Sequence, residues 1–183
     1  MSIYPVAFRQ FNTYKIPNIV SSQSNEPCEM VSAFCKTFSL PNDNRNYSDF
    51  DENLAQKIAS YKEKSVKPVI DMLQNASDEK NITAGLFLLN RIIDAGAKNV
   101  AETYPVISKF NYNESHNVQV MLAGIYRKTQ VPDGFGPLMT MFLKNAQNPT
   151  QKPFDPNEEI GGAILEYLRN KSAFNIYSDF INK

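Results

Sequence analysis

The sequence has no tryptophan, one histidine, two cysteines and seven glycines in 183 residues. Each scarcity excludes some chemistry. A zinc-protease helix needs two histidines one turn apart, and the chain has only His116. A Ser/His/Asp triad would also have to use His116. That residue follows Glu114-Ser115 at the start of an amphipathic stretch, where it reads as a solvated or capping side chain. Cys28 and Cys35 lie on a predicted helix near 26–38, two turns or about 10 Å apart along its axis. A disulfide needs Cα atoms roughly 4.4–6.8 Å apart. The two thiols therefore read as small buried apolar groups on a face shared with Val31 and Phe38. Glycine is too sparse for a phosphate loop: Gly134-Phe135-Gly136 lacks both the further glycine and a preceding strand. No run approaches the ~20 apolar residues that span a bilayer. Lys and Arg together number 19, as do Asp and Glu. The formal net charge is zero, which argues against nucleic acid as partner. The opening Met1-Ser2-Ile3-Tyr4-Pro5 lacks a charged then apolar export pattern, so the cytoplasm is the expected compartment and no membrane association is expected.

Composition is otherwise that of a globular domain, 42% hydrophobic and 21% charged. The dominant signal is an internal repeat. Three segments begin with Pro followed by apolar residues at fixed offsets: Pro68-Val69-Ile70…Leu73, Pro105-Val106-Ile107…Phe110 and Pro137-Leu138-Met139…Phe142. Each is followed by apolar residues four and then three apart, with an Arg two further on. These sets are Ile82/Leu86/Leu89/Arg91, Val118/Leu122/Ile125/Arg127 and Ile160/Ile164/Tyr167/Arg169. The spacing is helical, and a repeated helix pair stacks on its neighbours. The fold class expected is all-α: a short right-handed α-solenoid of about three helix pairs with capping helices.

Punctuation along the chain supports the units. Residues 1–47 read as an arm with one short helix, and 48–183 as the repeat domain. Ser48 with Asp51 reads as a capping box for a helix carrying Phe50, Leu54, Ile58 and Tyr61. Repeat one spans about 65–96, with Ser77-Asp78-Glu79-Lys80 opening its second helix and Gly96 just past its end. Repeat two spans about 98–128, its first helix broken or kinked before Pro105. Repeat three spans about 133–170, with Asp155-Pro156 opening its second helix. An apparent calcium loop at Asp155, Asn157, Glu159 and Glu166 fails because Ile160 stands where glycine must turn the chain. Ala84-Gly85, Ala123-Gly124 and Gly161-Gly162-Ala163 read as sites of close helix approach. The third repeat carries extra residues at 145–155, an expected loop. Phe174, Tyr177 and Ile181 mark a closing cap.

The runs Lys67-Pro68-Val69-Ile70-Asp71-Met72-Leu73 and Ala84-Gly85-Leu86-Phe87-Leu88-Leu89-Asn90 resemble the outer and inner helices of a HEAT repeat. Asp94-Ala95-Gly96-Ala97…Tyr104-Pro105 is similar to an armadillo junction. The resemblance covers roughly 65–170 and departs in one respect: the arginine usual near the start of a HEAT inner helix is absent, and the three arginines lie near helix ends. It implies protein–protein recognition without catalysis or cofactor. The contact residues expected are Arg91, Arg127 and Arg169, stacked as a row, with Gln151, Lys152 and Phe154 from the long loop. A cation in a last helical turn also complements the helix dipole, by about 0.3–1 kcal/mol. Two other classes stand beside this: a nucleic-acid-associated repeat, and an enzyme using Asp71, Asp94 or Glu166 in a groove. Homo-oligomerisation is open, because short solenoids end in apolar faces.

Overall fold

A computed structural model describes residues 26–41, 48–98, 100–149 and 155–170. The arm at 1–25, the closing segment at 171–183 and the loop residues Gln151, Lys152 and Phe154 lie outside the described residues. The described residues hold eight α-helices and no strand. An isolated antiparallel bridge joins Ser39 to Asp49. No helix is long and apolar enough to cross a membrane, among the residues described.

The chain runs α1 (Glu26–Thr37), α2 (Glu52–Ser60), α3 (Glu63–Asn75) and α4 (Glu79–Asp94). A 3-10 turn (Val100–Thr103), the single-turn α5 (Tyr104–Ile107) and a second 3-10 turn (Ser108–Phe110) follow. The remainder is α6 (His116–Thr129), a 3-10 turn (Pro132–Gly134), α7 (Phe135–Gln147) and α8 (Pro156–Arg169). Starts are set by side chains that satisfy exposed N–H groups. The Asp78 carboxylate accepts from the Asn81 N–H, the Ser115 hydroxyl from Val118 and the Asp155 carboxylate from Asn157. Gly96, at φ +84°, closes α4: its N–H donates to Ile93 and that of Ala97 to Ile92, a Schellman pair.

α2, α4, α6 and α8 pack each on the next. α3 packs on α4 and α7 on α8, forming helix pairs. The nine repeated apolar positions on α4, α6 and α8 are all buried, which is what their common spacing predicts. α1 packs on α2, α3 and α4. Its Phe34 and Phe38 join Phe50 and Phe87 in one cluster with ring centroids 4.5–6.3 Å apart. Residues on both sides of position 48 therefore share a core.

Several expectations are corrected. Ser48 does not cap α2: the bridge to Ser39 holds the backbone at Asp49 extended, and the Asp51 carboxylate reaches the Leu54 N–H at 3.0 Å instead. Cys28 is exposed while Cys35 is buried, because the buried stripe of α1 follows Pro27, Met30, Val31, Phe34 and Cys35. Burial pushes the Cys35 thiol up to about 11. Asn145, Ala146 and Gln147 belong to α7 and not to the loop. Close approach holds at Gly85 and Gly124, where an added Cβ would lie 2.4 Å from Met72 and 2.9 Å from Asn90. At Gly161 and Gly162 the nearest atoms would be 3.5 and 3.7 Å away, so among the described residues nothing approaches them closely.

Candidate functional site

α4 presents Phe87, Asn90, Arg91 and Asp94 at helical spacing on one face. α6 presents Val120, Met121, Gly124, Arg127 and Lys128. Together they line a shallow groove of about 210 Å³ with Glu159 of α8 at its edge. Arg91 and Arg127 are each 40% exposed along their side chains, so both guanidinium groups are accessible from solvent.

Each cation spans two helices. Arg91 Nη2 lies 3.1 Å from Glu52 Oε2, linking α4 to α2. Lys128 Nζ lies 2.9 Å from Asp94 Oδ2, linking α6 to α4. Arg127 Nη2 lies 3.0 Å from Glu159 Oε1, linking α6 to α8. The Arg91 guanidinium also sits 5.1 Å from the centroid of the Phe87 ring, within cation–π range. The groove is thus a charge-alternating strip over an apolar floor of Phe87, Val120 and Met121. The Arg91–Glu52 pair is the most solvated on both sides, and exposed pairs are worth only about 0–1 kcal/mol.

Asn90 fixes the middle of the strip. Its Nδ2 donates to the Met121 carbonyl at 2.9 Å and the Leu86 carbonyl at 3.2 Å, while its Oδ1 accepts from Lys128 Nζ at 3.0 Å. Gly124 makes room for it. Sequence reasoning missed Asn90, Lys128 and Phe87 as groove residues. The available signals were adjacency, since Asn90 precedes Arg91 and Lys128 follows Arg127, and the three-to-four spacing of Phe87, Asn90 and Arg91.

The row of three arginines is realised in part. Arg91 and Arg127 share the groove. Arg169 does not line it: its side chain is 76% exposed and its Nη1 lies 3.6 Å from Glu166 on its own helix. No described helix follows α8 to offer it a carboxylate across an interface. Asp71, Asp94 and Glu166 are likewise apart. Asp71, held at 2.8 Å by Lys67, lines a separate groove of about 700 Å³ between α1 and α3. Asp94 lies in the α4/α6 groove and Glu166 on α8. The chain matches no protein-family model, no curated protein and no solved structure.

Proposed function

We propose that this protein is a non-catalytic interaction module, a short right-handed α-solenoid of HEAT-like helix pairs, which binds a segment of another protein across α4 and α6. The observation that carries the reading is the groove itself. Two half-exposed arginines on successive repeat helices flank an apolar floor, the arrangement suited to an extended segment bearing carboxylates and apolar side chains. Arginine suits this role because its planar fork matches a carboxylate at two points. Successive helices in such a stack offer the same position again at regular intervals, so an extended chain can be read along them.

The test is affinity capture from native lysate with mass spectrometry, comparing wild type, the double variant Arg91→Glu/Arg127→Glu, and Arg169→Glu. A partner held by wild type and by Arg169→Glu is expected to bind the double variant at least about tenfold more weakly, equivalent to ~1.4 kcal/mol. Circular dichroism of the double variant should be unchanged, since both side chains are half in solvent. Equal capture by all three proteins would remove the groove as the binding surface.

A further inference from the structure

Two glycines stand side by side in the middle of α8, and nothing within the described chain requires either. An added Cβ would meet only Phe142 at 3.5 Å from Gly161, and only Arg127 at 3.7 Å from Gly162, both ordinary contacts. An interior glycine weakens a helix relative to alanine, because it loses more chain entropy on folding. The face carrying this pair is also apolar and open. Leu165 and Leu168 are 55% and 45% exposed, and Leu143 of α7, next to Phe142, is 53% exposed. Of the large hydrophobic side chains exposed among the described residues, only Tyr112 lies on another element. Single exposed leucines need no account, but two one turn apart on a face that also carries two bare glycines mark an interaction surface.

We propose that this face of α8 binds the same face of a second copy of the chain, with the two α8 helices antiparallel. Glu158, Gly161, Gly162, Leu165, Leu168 and Arg169 follow one another at three- and four-residue spacing, so they share a face. An acid stands at its beginning and a cation at its end, about 16 Å apart along the axis. A two-fold axis at the centre sets Glu158 opposite Arg169 of the second copy, and Arg169 opposite its Glu158. The same register sets Leu165 of each helix over Gly162 of the other. The bare glycine backbone supplies the hollow, and the leucine one turn on supplies the side chain that fills it. A parallel arrangement sets like charges together and leucine on leucine. The face is self-complementary in the antiparallel sense that a closed dimer requires.

The experiment is sedimentation equilibrium of the full chain from about 1 to about 100 µM, since dimerisation obeys mass action. Wild type is expected to dimerise within this range and Leu165→Asp to stay monomeric with unchanged circular dichroism. Glu158→Arg and Arg169→Glu should each weaken the dimer at least tenfold, and the double exchange should restore it to within about threefold of wild type. Gly162→Ala should raise the melting temperature of the monomer and yet weaken dimerisation, a combination that a purely structural glycine does not give. A wild-type chain that stays monomeric throughout overturns the proposal, and then the occupant of the face is residues 171–183 or another protein. A dimer indifferent to Leu165→Asp, or a double exchange without rescue, overturns it equally.

Discussion

Gly134 and Gly162 should respond in opposite directions to the same methyl group. A Cβ on Gly134 would lie 2.6 Å from the Tyr167 hydroxyl and 3.0 Å from the Tyr126 ring. Neither ring can retreat easily. The Tyr167 hydroxyl donates to the Val131 carbonyl at 2.6 Å, and the Tyr126 hydroxyl is bonded to Asn111 deep in the core. Burial holds the Tyr126 phenol far above its ordinary pKa, which marks how completely water is excluded. Gly134→Ala should therefore cost about 1–3 kcal/mol in urea unfolding, as overpacking does. Gly162→Ala, measured at high dilution, should add up to ~1 kcal/mol. A loss at position 162 would mean that an interior contact needs the glycine. Sequence alone could not separate these two. Gly134 follows Pro132-Asp133 and Gly162 lies mid-helix between acidic turns, yet only their tertiary neighbours show which has room for a methyl group.

Element boundaries were legible where a cap residue acts on its own helix. Asp155, Gly96 and, within the run 77–80, Asp78 occupy the places their chemistry dictates, whereas the cap of α6 is Ser115 and not its neighbour His116. Boundaries set by distant pairing were not. Nothing near Ser48 announces that Asp49 bridges Ser39, so the cap shifts to Asp51. The junction of α2 and α3 was equally silent. Lys62 there takes φ 49° and ψ −121°, a conformation that glycine adopts readily and an L side chain resists. Its backbone N–H donates to the Ala59 carbonyl at 3.0 Å, a bond that glycine retains. Lys62→Gly is expected to raise stability by about 0.5–1 kcal/mol, read as a higher melting temperature with unchanged helix content. A lower melting temperature would show that the lysine side chain contributes more than its backbone strain removes. The groove was half legible for a related reason. Periodicity brought Arg91 and Arg127 to one face, but whether α8 continues the row depends on what lies across from Arg169.

For the whole molecule, charge links helices that are far apart in sequence. Glu26 is held below the ordinary carboxylate range chiefly by its hydrogen bond from Lys57, and Glu114 by that from Lys144. The Lys98 N–H does the same for Glu63, and the Asn81 N–H for Asp78. All four favour the charged form in the folded state. Their contribution is present in full above the unfolded values near about 4 and is lost as pH falls through the lower folded values. Calorimetry should show a level melting temperature above about pH 5 and a decline below about pH 4 that shrinks in added salt. A melting temperature that rises on acidification would contradict this. The break expected before Pro105 is present and is longer than a kink. Between α4 and α6, residues 100–110 hold a single α-turn between two 3-10 turns, where the other pairs have a full helix. Backbone amides there are expected to exchange with deuterium earlier than those of α4 and α6. Among the described residues, α4, α6 and α8 thus pack in series as full helices, while residues 100–110 supply only short turns between α4 and α6. A single turn holds fewer backbone hydrogen bonds than a full helix, so local opening costs less there than in α4 or α6.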